Sequence, residues 1–583
     1  MSIRRKRNII VSVDKETVAQ VLEEIATLLE LKNENVFKVR AYHNASRVLE
    51  GQTEDLKTLI ETGKLEELKG IGPAISEKVH ELFQKGKLKY YEELKKSFPK
   101  GILNLLEIPG LGPKRVKVLY DKLKIKSVEE LEKACEEDGL LKLEGFGEKS
   151  QENILQGIQQ RKKSAGHFLI STAQREAQQF VEYLKKRKGV EKIEVAGSIR
   201  RRKEVVKDID ILVTAKEAEK IHDAFVKYPQ VENVVAHGDT KSSVTLKSGI
   251  NCDLRTVSAK EFPFALYYFT GSKEHNVAVR TIAKKAGYKI NEYGLFKGNR
   301  FISCKDEAEI FEKFGFHYIP PELREGGEEL EASKKGNLPK LVEEKDIRGV
   351  FHVHSTYSDG VASLENMIRS AEELGFEYVG ISDHSQSAKY ARGLEPPRLK
   401  EQRKELDKLA KIYSRIRIFW GTESDILVDG KLDYSDSILE EFDFVIGSVH
   451  SHFNLSEKEQ TNRILHAMDS KYLTFVGHPT GRLLLAREGY SVDLAKLIDG
   501  AKEKQVTIEL NANPHRLDLD WRYCSHAKEK GVRLSINPDA HSVEGLRDVP
   551  YGVGIARKGW LEKEDVVNTL PLSEIEKFLK KRR

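Results

Sequence analysis

The sequence predicts a multidomain chain of α+β and α/β type: a helical N-terminal region, a mixed α/β middle and a C-terminal seven-stranded β/α barrel. Three observations carry this. From Thr17 to Gln160, Leu, Ile and Val recur at three- and four-residue spacing, the period of amphipathic helices. From about Ile193 to Val257 the pattern changes to short β-branched runs, KIEVAG, DIDILV, SSVTL and CDLRTV. After Arg348, short apolar runs alternate with helical segments, the signature of a parallel β/α architecture.

The length of 583 residues suggests three to five domains, at roughly 100–200 residues each. With 39% hydrophobic and 33% charged residues, the composition is that of a soluble globular protein. A net charge of +6 does not by itself establish a nucleic-acid partner, but it permits local basic faces. Cys135, Cys252, Cys304 and Cys524 lie far apart without a Cys-x-x-Cys pair, so neither a zinc knuckle nor a disulfide framework is suggested. Reduced cysteines fit the cytoplasm. The basic start, Arg4 to Arg7, precedes an apolar stretch broken by Asp14 and Lys15. It is too short for a signal peptide or membrane helix and reads as a disordered tail.

The helical third holds a repeat. Gly70-Ile71-Gly72, Gly110-Leu111-Gly112 and Gly145-Phe146-Gly147 each open a Lys-rich helix, two of them through Pro73 and Pro113. No strand precedes them, so a dinucleotide fold is not expected. Glycine lets a phosphate approach the backbone, and a helix N-terminus supplies free N–H groups. One such turn is an ordinary glycine-bounded helix start. Three of them point to phosphate binding and resemble the helix-hairpin-helix motif.

The middle carries AGSIRRR, Ala196 to Arg202, followed by Asp208-Ile209-Asp210. Residues two apart on a strand share a face, so Asp208 and Asp210 present two carboxylates to one place. Asp253, on a later run, can complete the cluster. Three carboxylates repel one another unless a cation neutralises them, and hard oxygen ligands suit Mg2+. Two such ions suit nucleotidyl transfer. The turn at Gly197 and Ser198 offers donors to a triphosphate, with Arg200 or Arg201 adding charge.

These strings, with Tyr268-Phe269-Thr270-Gly271-Ser272, Asn276 and Arg280, resemble the DNA polymerase beta-like family X DNA polymerases over most of residues 17–320. The resemblance implies a nucleotidyltransferase palm with two Mg2+ ions, using deoxynucleoside triphosphates on gapped or 3′-recessed DNA. It implies that Tyr268, Phe269 and Gly271 shape the sugar pocket, Asn276 touches the incoming base and Arg280 the template. Asn251, two residues before Asp253, stands where the family has arginine. The segment from Thr17 to about Leu88 resembles the family's lyase domain. Lys78 is at the position of its Schiff-base lysine, with Ala74 replacing a neighbouring lysine.

The barrel runs are VFHVH, EYVGISDH, IRIFWGTE, FDFVIGSVH, YLTFVGH, QVTIELN and VRLSINPDAH. Active sites of parallel barrels lie at the C-terminal ends of strands. Those ends supply His352, His354, His384, Glu423, His450, His478, Asp539 and His541, with Asp359 in the first loop. A lone buried histidine is usually structural, but six beside three carboxylates point to metals that imidazole and carboxylate suit, zinc, manganese or iron, of which Mn2+ or Zn2+ is the expectation here. Nine ligands exceed one coordination sphere, so two or three ions are expected, with Glu423 bridging. The segment resembles the polymerase and histidinol phosphatase (PHP) domain, which implies phosphoester hydrolysis, with Arg482 of GHPTGR holding a phosphate.

The expected domains are 1–90 (lyase-like), 91–165 (helix-hairpin-helix), 166–260 (palm), 261–320 (nucleotide selection), 321–345 (linker) and 346–583 (PHP). The expected function is short-gap filling in base excision repair with 3′–5′ exonuclease and abasic-site cleavage, by a cytoplasmic, nucleoid-associated monomer that binds no membrane. A nuclease using a dead polymerase to hold DNA is disfavoured by the intact Asp208, Asp210 and Asp253. A non-enzymatic end-bridging protein leaves both metal sites unexplained, and a metabolite phosphatase leaves the DNA-binding half unexplained.

Overall fold

The computed structural model describes residues 15–580 except 53, 100, 107 and 109. Arg4 to Arg7, and the tail expected there, lie outside the described residues. The N-terminal region is helical and includes α1 (Lys15–Leu31), α2 (Pro73–Lys85), α3 (Pro113–Leu123) and α4 (Glu148–Ser164). Their apolar stripes close one core, in which Leu22, Val79, Leu119 and Ile158 are buried. Pro73 and Pro113 occupy first helical turns, where a missing N–H leaves no helix bond unmade.

The middle unit is built on a five-stranded sheet of β1 (Val190–Val195), β2 (Asp208–Ala215), β3 (Val231–His237), β4 (Lys241–Leu246) and β5 (Asn251–Thr256), in the order β1-β2-β5-β4-β3. β2 and β5 run parallel, with Asp210 opposite Asp253 and Asp208 opposite Asn251. Alternation sends Ile209, Ile211, Val213, Cys252 and Leu254 into the core and leaves the aspartates on the other face. Helices α5 (Phe262–Thr270) and α6 (Lys273–Lys285) follow, then a small antiparallel sheet over 289–302.

Residues 321–345, read from composition as a linker, are folded against their neighbours. They carry a helix at Glu329–Lys335 and bury Glu322, Leu323, Arg324 and Glu329. Ion pairs to distant residues make this polar stretch compact. Arg324 is wholly buried and donates to Glu307 (2.6 Å) and to the Ile319 carbonyl (2.9 Å). His275 pairs with Glu329 (2.8 Å). Burial would raise Glu307, but Arg324 and Arg200 hold it down to about 2. Removing one partner of a buried pair costs about 3–5 kcal/mol. Arg324→Met should therefore lower the thermal unfolding midpoint, while an exposed control such as Lys335→Met leaves it in place.

The C-terminal unit is a seven-stranded, all-parallel sheet in sequential order, β6 (Gly349–Val353), β7 (Tyr378–Ile381), β8 (Arg417–Asp425), β9 (Phe444–Ser448), β10 (Phe475–Val476), β11 (Thr507–Asn511) and β12 (Leu534–Asn537). All seven apolar runs of the sequence are strands. The first and last meet through a bridge between Val353 and Ala540, with the His354 N–H donating to the Ala540 carbonyl at 2.9 Å. Inside, Phe351, Tyr378, Phe419, Phe444 and Phe475 pack with Ile575 and Leu579 of the final helix. Gly380 and Gly421 make room for these rings: a Cβ at either would fall 2.4–2.5 Å from Phe351 or Phe444. This packed layer leaves the ligand-bearing strand ends as the barrel's chemical end.

The barrel also docks on the middle unit. Lys558, at the end of α7 (Val549–Lys558), is wholly buried and donates to Glu325 and to the carbonyls of Arg201 (3.3 Å) and Glu322 (3.4 Å). Burial pushes its ammonium down to about 8, against the pull of Glu325.

Candidate active sites and nucleic-acid interface

The three glycine turns share one geometry. Gly70, Gly110 and Gly145 have φ of +114°, +84° and +84°, which only glycine adopts without strain. Gly72, Gly112 and Gly147 cap α2, α3 and α4, and among the described residues no side-chain cap hydrogen bond forms there. A Cβ at Gly72, Gly110, Gly112, Gly145 or Gly147 would meet nothing within 4 Å among the described residues. Those turns are open to an outside partner. Ile71, Leu111 and Phe146 between them are buried anchors. Arg115 ties the second turn to the third, donating to the carbonyls of Gly110 (3.0 Å) and Gly145 (3.3 Å). If these N–H groups hold phosphates, Gly110→Val with Gly112→Val should raise Kd alike for every duplex, and binding should weaken with salt. Electrophoretic shifts over several sequences check this, and a loss confined to one sequence contradicts it.

Lys78 lies on α2. Its Nζ donates to the Ala74 carbonyl (2.8 Å) and sits 5.2 Å from the Tyr90 ring centre, with Lys38 at 5.8 Å from the same ring.

In the palm, Gly197 has φ +63° and its Cβ position is 2.4 Å from Asp210 Oδ2, so only glycine lets the turn approach that carboxylate. Burial, with the charges of Asp208 and Asp253, pushes Asp210 up to about 7. Burial and Asp253 also raise Asp208. A carboxylate that resists ionisation at neutral pH is one that a divalent cation would stabilise. Asp253 is instead engaged by Lys241 Nζ at 2.8 Å. Among the described residues, the groups with donor atoms within 4.8 Å of one another all lie in the barrel. Asn251 accepts from the Thr245 hydroxyl (2.9 Å).

Arg200 and Arg201, expected to offer charge to a triphosphate, spend it within the protein. Arg200 pairs with Glu307 (2.6 Å), and Arg201 donates to Glu325 (3.1 Å) and to the Thr270 carbonyl. They brace the Gly197-Ser198 turn against the end of α5. There, Tyr268 and Phe269 pack edge to face (5.3 Å) and Arg255 lies 4.5 Å over Phe269. Gly271 has φ +70°, with its Cβ position 3.0 Å from Arg201 Nη1. Asn276 donates to the Tyr268 carbonyl (2.8 Å), and its own Oδ1 is buried without a partner. Arg280 is exposed on α6.

In the barrel, the nine residues form one connected set, with five histidines around Glu423 and Asp359, Asp539 and His541 joined to those histidines. The Glu423 oxygens lie 3.2 Å from His352 Nε2, 3.6 Å from His354 Nε2, 3.0 Å from His384 Nδ1, 3.3 Å from His450 Nε2 and 3.0 Å from His478 Nε2. Asp539 Oδ1 is 3.4 Å from His352 and 3.3 Å from His354, and Asp359 is 3.6 Å from His384 and 3.4 Å from His541. These form four overlapping donor groups. Burial would raise Glu423, but the imidazoles of His352, His450 and His384 hold it well below the usual carboxylate range. Burial pushes His354 down to about 3, keeping its imidazole neutral.

The donors fit divalent metals. Among the described residues, His352 Nε2, both ring nitrogens of His354 and His384 Nδ1 are buried without an aligned hydrogen bond, although carboxylate oxygens lie close by, a cost that coordination removes. Backbone strain points the same way. His352, His478 and Asp539 have φ of +59°, +24° and +51°, each costing on the order of 1–3 kcal/mol.

Sequence reasoning missed the residues that orient these ligands. Glu509 accepts from His352 Nδ1 (2.6 Å), the His478 N–H (2.7 Å) and Asn537 Nδ2 (3.0 Å). Asp425 takes His450 Nδ1 (2.6 Å). Each fixes a tautomer and frees Nε2 for the metal side. Glu509 was findable as an acid inside the apolar run QVTIELN. Arg482 does not face the cluster, because it is consumed by Asp520 (2.6 Å) and the Arg516 carbonyl (2.9 Å). Arg516 does, with Nε 3.1 Å from Asp539.

Comparison with known proteins agrees with this arrangement. Helix-hairpin-helix domains match residues 13–88 and 102–160, a DNA polymerase beta thumb matches 265–325 and a PHP domain matches 351–513. A Bacillus subtilis protein named DNA polymerase/3′-5′ exonuclease PolX is 40% identical over 97% of this chain and 99% of its own length. The African swine fever virus protein named repair DNA polymerase X is 31% identical over 23% of this chain and 80% of its own. A Caldanaerobacter protein named as a probable phosphatase is 26% identical over 29% of this chain and 67% of its own. No helix among the described residues is long and apolar enough to cross a membrane. With a near full-length relative and with hairpin, thumb and PHP modules in this order, the chain belongs to the bacterial PolX family of family X DNA polymerases.

Proposed function

We propose that this chain is a repair DNA polymerase with a 3′–5′ exonuclease in its PHP barrel. The carrying observation is that one chain holds a histidine-rich donor set around Glu423 and, on a separate sheet, carboxylates on adjacent parallel strands beside a Gly-Ser turn. In the palm, Asp208, Asp210 and Asp253 are assigned two Mg2+ ions. Gly197 and Ser198 receive the triphosphate, Tyr268, Phe269, Gly271 and Asn276 line the nucleotide, and Arg280 faces the template. In the barrel, His352, His354, Asp359, His384, Glu423, His450, His478, Asp539 and His541 are assigned two or three Mn2+ or Zn2+ ions. Ions bound there supply Lewis-acid activation of water and neutralise charge on the phosphodiester. Glu509 and Asp425 hold the imidazoles in register, and Arg516 attracts the phosphate.

DNA reaches both sites by the hairpin turns, which grip backbone without reading bases. Covalent linkage presents a primer end to the barrel at high effective concentration. The test uses a gapped and a 3′-recessed duplex, with and without nucleotides, in Mg2+ and then Mn2+. Extension with nucleotides and 3′ shortening without them is expected. Absence of either removes the corresponding assignment.

A lyase step is assigned to Lys78. Its place on the helix that opens at Gly70-Ile71-Gly72, next to the expected phosphate contact, supports attack on a 5′-deoxyribose phosphate aldehyde. Borohydride should trap a covalent adduct that Lys78→Ala loses, and equal trapping in that variant assigns the chemistry elsewhere.

A further inference from the structure

The rim of the barrel cluster carries an aromatic ring that core packing does not explain. Tyr390 is 69% exposed. Its ring is nevertheless held edge-on to two ligand candidates, 6.1 Å from His384 and 6.3 Å from His450 between centroids. The ring sits on a tight turn, Lys389–Ala391, anchored by the buried Ala388 and Ala391. A bare aromatic face beside a phosphoester site offers what a nucleobase needs, a stacking surface.

Two arginines continue the site. Arg516 keeps its Nε on Asp539 (3.1 Å), and among the described residues its other guanidinium nitrogens make no hydrogen bond. Arg487 is propped by the Phe453 ring (4.7 Å) and by the Gly481 carbonyl (2.8 Å), three residues past His478. Beyond Arg487 a groove of about 670 Å³ runs between the barrel loops and α4 to the Gly110 turn, with Lys149 and Lys163 on its far wall. Lys149 and Arg487 thus line a groove from a hairpin turn to the loop that follows His478, with Lys163 paired to Glu488 at 3.5 Å, while Tyr390 and Arg516 rim the cluster itself.

We propose that Tyr390, Arg516 and Arg487 form a nucleotide subsite of the barrel. It takes the last residue of a DNA 3′ end with the base on Tyr390 and the phosphates on Arg516 and Arg487, and the preceding strand lies in the groove. This rests on the exonuclease reading and adds to it a requirement for the terminal base. Stacking tolerates any base, because each has a π-face.

The test uses the full chain with two single-stranded oligonucleotides that differ only at the 3′ terminus, one ending in a nucleotide and one in an abasic tetrahydrofuran. Wild type should show a KM lower by about tenfold for the first, the size of one base stack. Tyr390→Ala should erase that difference with kcat nearly kept, and Tyr390→Phe should preserve it. A second readout needs no turnover. In EDTA, 2-aminopurine at the 3′ terminus should be quenched on binding wild type and Tyr390→Phe, but not Tyr390→Ala. A wild-type ratio retained in Tyr390→Ala, or quenching unchanged by that substitution, overturns the subsite. A wild-type chain that removes no 3′ residue from either oligonucleotide overturns the exonuclease reading itself.

Discussion

Asp210→Ala should abolish primer extension, lowering the rate on a gapped duplex by on the order of a thousandfold or more. Asp210 sits at the centre of the palm arrangement. It faces Asp253 across the parallel β2 and β5 pair and lies under the Gly197 turn. Burial and two neighbouring carboxylates push its pKa up to about 7, so at neutral pH the side chain awaits a cation to be fully ionised. Alanine removes both a ligand and the charge that makes the site attractive to Mg2+. Loss of several kcal/mol of transition-state stabilisation corresponds to roughly a factor of ten per 1.4 kcal/mol. The substitution shortens a side chain in a polar corner of the sheet, so the fold should persist, and exonuclease activity should continue. Single-turnover extension measures the effect. Extension within a few-fold of wild type would remove Asp210 from the metal site.

Glu423→Gln should empty the barrel of metal and stop 3′ shortening, again by on the order of a thousandfold. Five imidazoles surround this carboxylate within 3.6 Å. Gln keeps the volume but loses the negative charge that binds cations and balances the histidines. A milder outcome is expected at the supporting residue. Glu509→Gln keeps all nine ligands but alters the acceptor that fixes His352 Nδ1 and the His478 N–H. Metal affinity should then fall by about 10–100-fold. Metal content by elemental analysis, together with exonuclease rate, separates the two variants. Full metal occupancy in Glu423→Gln would contradict the proposal that this carboxylate holds the metal.

The barrel was the most legible part of the sequence. Paired ligands two apart, His352 with His354 and Asp539 with His541, mark strand ends by their spacing alone, and apolar runs between polar loops mark the strands. What sequence could not supply was direction. Arg482 and Arg516 are both arginines in loops after barrel strands. Only the packed loop turns one onto Asp520 and the other onto Asp539. Arg200 and Arg201 sit in a triphosphate-binding string, yet their partners, Glu307 and Glu325, lie more than a hundred residues away. Partners outside the stretch hid the folding of 321–345, whose polar composition is that of a loop until Arg324 meets Glu307, 17 residues before it, and Glu325 meets Lys558. Lys241 and Arg255 were within reach. Arg255 shares a strand face with Asp253, and a β-strand beside an acidic cluster often carries its counter-charge.

The central claim is that two chemistries reside in two independent sites of one chain. One measurement tests it directly: a 5′-labelled primer on a gapped duplex, incubated with wild type, Asp210→Ala and His354→Ala, with and without nucleotides. The account predicts that Asp210→Ala shortens the primer without extending it, and that His354→Ala extends it without shortening it. Shortening that survives His354→Ala, or that vanishes with Asp210→Ala, would contradict it.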